Sequence, residues 1–333
     1  MSNTQRSSSY YAGFDYIRAV LSLAVIAIHT RLLSAHGNLS VDERSGFNVF
    51  DIIELNLFFL AVPLFFLVSL FLFYKKQSTL VKDGRRVYQI LILYAFWSAA
   101  WVLFRDTRPK SGLSEILVFI ISGGESVFWF FFSLAFVTLV AALTRKLSTQ
   151  LTWIALCTST LMIALFPILN MQDANYRYLV AFWNPLLFVP CVFAAKLFVR
   201  YEDAFKSRKY IQPALLVIFI GLCILEWLTL IHPNHELVQA IQIPYYARPS
   251  VLVGAFILFI SALRVRARPP AVIKFLSSVS LGLYCMHPFL ISLTSEIGRR
   301  AVGIEAIAYF LCITAASLAA TYLFKSILRE RLI

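Results

Sequence analysis

The chain alternates long apolar runs with short polar connections along its whole length. Ten runs are long enough to cross a hydrocarbon core as helices: residues 14–33, 48–74, 86–104, 126–144, 150–170, 178–199, 212–231, 248–263, 277–297 and 303–325. A further run, 113–122, is too short to span and reads as an interfacial or re-entrant piece. No linker, low-complexity tract or internal repeat interrupts the pattern. It predicts an all-α integral membrane protein, a bundle of about ten transmembrane helices forming one domain over 1–333 behind a polar tail at 1–13. No small-residue cleavage site follows Phe14–Leu33, so that run reads as a retained first span rather than a signal peptide.

Polar residues inside the runs carry the chemistry. The first reads FDYIRAVLSLAVIAIHTRLL and holds Arg18 and His29. Their spacing leaves them about 20° apart around a helix and roughly 16 Å apart along it, with Ser22 on the same stripe and Asp15 about 60° away. An arginine and a histidine at different depths in hydrocarbon are costly unless they face a polar interior, so the pair reads as a functional site. The bland reading is an arginine reaching back to the interface and a histidine bonding a neighbouring helix.

Charge sets the orientation. Of 30 Lys and Arg, twenty fall in one alternate set of connections, including Lys75, Lys76, Lys82, Arg85, Arg86 and Arg264–Lys274. Nine, among them Arg105, Arg177 and Arg248, fall in the other, and Arg18 lies within a span. The basic excess marks the cytoplasmic side and places both termini there. The net charge of +13 is therefore a topology signal and not a nucleic-acid patch. Apolar residues make up 60% of the chain and charged ones 14%, which excludes a soluble enzyme. The five cysteines lie in apolar runs without metal-ligand spacing and read as packing residues.

With that orientation Glu54, Asn56, Asn184 and Glu226 share the outer layer of His29. The ninth run, VSLGLYCMHPFLI, puts Ser280, Tyr284 and His287 on one face, with a kink expected at Pro288. Arg85 and Arg86 stand at the cytoplasmic mouth of the third span. The expectation is a polar column through the bundle, basic at the inner end and carrying His and Glu farther out. Each member has a structural alternative. Glu54 and Glu226 suit helix–helix hydrogen bonds, His287 suits a cap on a broken helix, Arg85 and Arg86 suit topology markers, and Trp129 suits an interfacial anchor.

Several of these stretches resemble the acyltransferase-3 family of membrane proteins, which acylate cell-surface and secreted glycans. Asp15, Arg18 and His29 match its opening element in order and spacing, and Pro63, Phe65, Phe66 and Ser69 match its second-span stretch, with Leu70 where a glycine is usual. SVFWFFFSLAF around Trp129 and SLGLYCMHPFLI resemble two further segments. The resemblance implies transfer of an acyl group, usually acetyl, from cytoplasmic acyl-CoA to a glycan or lipid-linked oligosaccharide hydroxyl. It implies no tightly bound cofactor and a multi-pass protein of the bacterial plasma (inner) membrane. The column fits that chemistry. His29 is the expected general base, oriented by Glu54, with His287 beside Tyr284 as the rival base. Arg18, Arg85 and Arg86, with Asp15, Ser69 and Ser280, are expected on the donor side. A secondary transporter is the competing class, since midplane ionisable residues and a broken helix suit a carrier too. Against it stand the missing repeat and the lack of paired broken segments. A scaffold or sensor explains neither polar stripe.

Overall fold

The computed structural model describes residues 10–33, 49–76, 78–109, 112–173, 176–228 and 245–328. Most of the polar tail and the end of the expected seventh run, 229–231, lie outside them. Among the described residues all regular structure is helical.

The first run forms α1, Ala12–His29. The second is interrupted: α2, Val49–Leu57, passes through a 3₁₀ turn at Phe58–Leu60 into α3, Ala61–Lys75. Pro63 explains the change, because it cannot donate to the carbonyl four residues back and its ring crowds that carbonyl, at Phe59. α4, Leu80–Arg105, begins where the Thr79 side chain accepts from the Lys82 amide at 3.4 Å. The short run is indeed a short helix, α5, Leu113–Ile121. α6, Trp129–Leu143, and α7, Thr149–Gln172, follow the fourth and fifth runs.

The sixth run departs from expectation. Instead of one helix over 178–199 it gives α8, Arg177–Val180, a 3₁₀ turn at Pro185–Phe188 and α9, Val189–Arg200. Asn184 holds the break: its Oδ1 accepts from the Leu186 amide at 3.0 Å, while Nδ2 donates to the Leu179 carbonyl at 3.0 Å and the Tyr178 carbonyl at 3.2 Å. Pro185 and Pro190 cannot donate into a continuous ladder there. The chain continues with α10, Glu202–Ser207; α11, Ile211–Glu226; α12, Pro249–Arg264; α13, Ala271–Leu293; α14, Ser295–Arg300; and α15, Ile304–Leu328. α13 stays helical through Pro288.

Among the described residues six stretches are long and apolar enough to cross a membrane: Ala12–His29, Ile53–Lys75, Leu80–Arg105, Thr149–Asn170, Ala271–Leu293 and Ile304–Lys325. Trp129–Leu143, Ile211–Glu226 and Pro249–Arg264 are shorter apolar helices among them. The architecture is that of a multi-pass membrane protein.

The α2–α3 segment is the axis of the bundle. Most residues of its apolar stretch within Ile53–Lys75 are buried, whereas few of those in α4 are, and Leu91, Ile92 and Leu103 of α4 turn outward as a lipid-facing surface does. α3 packs on α9 and α12; α1 packs along α13, which carries α15 on another side; α4 pairs with α6. Aromatic rings fill the spaces: Phe14 lies between Phe71 and Phe259, at centroid distances of 5.6 and 5.5 Å, and Phe66 meets Phe188 at 4.4 Å. α1 crosses α12 backbone to backbone at Gly13, where a Cβ would stand 2.0 Å from the Ala262 carbonyl oxygen. These crossings bring the end of α1 beside the C-terminal half of α13.

Candidate active site

His29 is the last residue of α1, and its side chain is exposed to a cavity of about 530 Å³ at that end of the bundle. His287, on α13, is fully buried directly behind it; the two imidazole rings are 5.2 Å apart and inclined by 35°. The two histidines, read from sequence as rival bases, belong to one site.

The tautomer of His287 follows from its surroundings. Its Nδ1 lies 3.0 Å from the Leu283 carbonyl, and a carbonyl only accepts, so Nδ1 carries the proton. Nε2 is then a lone-pair acceptor, and it has no hydrogen-bond partner within the described residues although it is buried. The helix continues past Pro288, so His287 caps no broken end; its contact with the Leu283 carbonyl of its own helix leaves the other nitrogen free for proton chemistry.

Tyr284 lines the cavity one turn earlier, 5.9 Å from the His287 ring. Its hydroxyl donates to the Val127 carbonyl. That bond ties α13 to the connection before α6, so Tyr284 is anchored to backbone.

Glu54 is half-buried, does not line the cavity, and lies close enough to Tyr245 to act on it electrostatically. A polar network sits beside it. Arg248 is 1% exposed; Nη1 donates to Asn56 Oδ1 at 3.1 Å and Nη2 to the Leu55 carbonyl. Glu226 accepts from the Ser250 amide at 2.7 Å and from the Ser250 hydroxyl, joining α11 to the first turn of α12. Arg248 thus corrects a sequence reading. It was counted as a loop charge marking topology, and it is an internal ligand of α2.

The donor-side candidates occupy the opposite end. Arg86 turns inward and donates from Nη2 to the Ser69 hydroxyl at 3.0 Å and the Ser69 carbonyl at 3.2 Å, its guanidinium 5.3 Å from the Phe73 ring centre. Arg85 is exposed. Arg18 is half-buried and makes no hydrogen bond or ion pair within the described residues. Asp15 accepts from the Ser277 hydroxyl at 2.7 Å and from Tyr10, tying α1 to α13, and Ser280 donates to the Ser277 carbonyl of its own helix at 2.9 Å.

Three further residues that the sequence reading gave no site role line the cavity. Arg105, counted as a topology marker, lines the cavity, with its guanidinium 5.9 Å from the Trp101 ring centre and Nη1 donating to Ser292 at 2.8 Å. Glu125 lines it from a left-handed turn. Trp129, expected at the interface, is 6% exposed and stacks on Phe188 at 5.7 Å. Two adjacent glycines before Glu125 were the one signal in the sequence that a special backbone stood there.

A closed imidazole pair at the floor of a cavity suits proton transfer, and a guanidinium without a partner at the far end suits an anion. No curated protein and no solved structure matches the chain. The model of the acyltransferase domain family, acyltransferase-3, matches residues 11–325, nearly the whole chain and every residue of this site, so the chain belongs to that family of membrane acyltransferases.

Proposed function

We propose that the protein moves an acyl group, in the simplest case acetyl, from cytoplasmic acyl-CoA to a hydroxyl of a cell-surface or lipid-linked glycan in the bacterial plasma membrane. The observation that carries the reading is the His29–His287 pair: one imidazole open to the cavity, the other buried behind it with an acceptor nitrogen, Nε2, that has no partner among the described residues. His29 takes the proton of the attacking hydroxyl as that oxygen forms its bond to the thioester carbonyl and the thiolate of CoA departs. His287, whose Nε2 can only accept, stands in ring contact to share the imidazolium proton. No acyl-enzyme is needed, because donor and acceptor meet at one centre.

The basic end serves the donor. Arg18 is available for an anionic or carbonyl oxygen of acyl-CoA, and Arg86, set by Ser69, faces the same interior. The excess of Lys and Arg at that end supports a cytoplasmic placement, with both termini inside and about ten spans. Reporter fusions at Lys76 and Asn234 should then report opposite compartments. One membrane domain, with no tightly bound cofactor, suffices for the reaction, since both substrates are supplied from outside the chain. Purified protein in detergent should transfer label from radiolabelled acetyl-CoA to glycan. Absence of both transfer and acyl-CoA hydrolysis would defeat the reading.

A further inference from the structure

The cavity above His29 is walled by rings, among them Phe59, Trp101, Trp129, Phe182, Tyr245 and Tyr246. A sugar presents patches of C–H groups and a rim of hydroxyls. The first suit electron-rich aromatic faces; the second need directed polar partners. Glu125 lines the same cavity, and its carboxylate makes no hydrogen bond within the described residues. An ionised carboxylate only accepts, so its natural partners are hydroxyl donors.

The backbone around Glu125 is built to present it. Gly123, Gly124 and Glu125 have φ of 66°, 71° and 57°, three left-handed residues in succession. Glycine takes that conformation freely, and glutamate does not. The turn is nevertheless held on all sides. The Glu125 amide donates to the Ser122 hydroxyl at 3.1 Å, the Ser126 hydroxyl donates to the Gly123 carbonyl at 2.6 Å, and the Gly124 amide donates to the Phe119 carbonyl at 2.8 Å. A Cβ on Gly124 would stand 2.7 Å from Val102 of α4, so the loop lies directly against that helix. Tyr284 closes the arrangement through Val127, linking this turn to the helix of His287. Glu125 is exposed, so its carboxylate is accessible from the cavity, and a residue that so many bonds keep in strained backbone at that place is set for a ligand.

We propose that Glu125 recognises the acceptor: its carboxylate accepts hydrogen bonds from glycan hydroxyls while the sugar ring lies against the aromatic wall, presenting another hydroxyl to His29. The proposal rests on acyl transfer to a glycan as read above and adds the residue that selects the acceptor. Glu125 acts on acceptor binding and not on the donor, because the donor enters from the Arg18 end.

The test uses the full chain in nanodiscs, radiolabelled acetyl-CoA as donor and a glycolipid extract of the source cells' membranes as the acceptor probe. Initial rates are measured against extract concentration for the native protein and for Glu125→Gln, which keeps size and shape. The expected result is a rise of about ten- to a hundred-fold in the half-saturating extract concentration, as for loss of a charge-assisted hydrogen bond, with maximal rate and KM for acetyl-CoA unchanged. An unchanged KM for acetyl-CoA also reports that the variant is folded. A half-saturating concentration that stays put, or a matching change in KM for acetyl-CoA, overturns the assignment of Glu125 alone. No labelled glycan from the native protein overturns the transfer reading itself.

Discussion

The two ends of the bundle differ in the polar groups that they leave without a partner. At the Arg86 end buried and half-buried charges are paired. Arg145 grips Asp83 with Nε and Nη2, both at 3.1 Å; Glu202 holds Lys75 and Lys206; Arg264 donates to Gln212 and to the carbonyls of Phe205 and Arg208. At the His29 end Arg105, Tyr284, Arg248 and Glu226 are bonded as well, but among the described residues three groups are left open: the exposed imidazole of His29, the buried Nε2 of His287 behind the cavity and the exposed carboxylate of Glu125. Paired charge in a membrane bundle fixes how helices meet. A buried nitrogen without a partner, such as His287 Nε2, costs stability and is retained for chemistry, while the exposed His29 and Glu125 beside it are open to a ligand. The donor-side exception is Arg18, half-buried and without a hydrogen bond or ion pair among the described residues, which singles it out from the structural arginines around it.

Removing a group from each end should therefore change different things. The largest effect is expected for His29→Ala, which should slow transfer by about 10² to 10⁴ while acyl-CoA binding, measured by equilibrium dialysis, is retained. Next is Arg145→Met. It strands the Asp83 carboxylate, 3% exposed, and should lower stability by about 3 kcal/mol, seen as a drop in Tm in detergent, with KM values of the folded fraction unchanged. If instead Arg145→Met raised the KM for acyl-CoA with Tm intact, the paired end would be part of the donor site and the contrast would fail.

Much of this contrast could be anticipated from the sequence, and the rest could not for specific reasons. The stripe of Arg18 and His29 is a local periodicity, so a helical reading places both correctly on α1. The partner of His29 lies on α13, and no spacing along the chain encodes that meeting. Hydropathy ran the sixth segment through as one span because Asn184 and two prolines barely change its average, although Asn184 redirects the backbone through side-chain bonds. Counting charges assumed that each arginine outside a span faces water. Arg248 and Arg105 violate that, one buried beneath the Leu55 carbonyl and one lining the cavity.

A smaller effect sharpens the donor end. Arg18→Lys should raise the KM for acyl-CoA by about ten-fold, because a planar fork becomes a point charge, and should leave Tm unchanged because Arg18 has no partner to lose among the described residues. A fall in Tm without a change in KM would make it one more structural arginine. The smallest effect concerns pH. Burial pushes the Glu202 carboxyl up, but its bonds to Lys206 and Lys75 outweigh this and hold it below the usual carboxylate range. A depressed value contributes stability that is present above the ordinary pKa, about 4.3, and is lost as pH falls through the folded-state value. Tm should thus decline less steeply below about pH 4 in Glu202→Gln than in the native protein, starting from a slightly lower plateau. Identical acid profiles would remove Glu202 from the paired end.

The central claim is that His29 and His287 act as one proton-handling unit, and a double-mutant cycle measures it directly. Transfer from acetyl-CoA is followed in His29→Ala, His287→Ala and the double variant, each with acyl-CoA affinity as the control for folding. Groups acting as a unit are non-additive, so the double variant should lose no more rate than the worse single one. Independent losses that multiply, or substantial transfer by His29→Ala with affinity retained, would contradict the account.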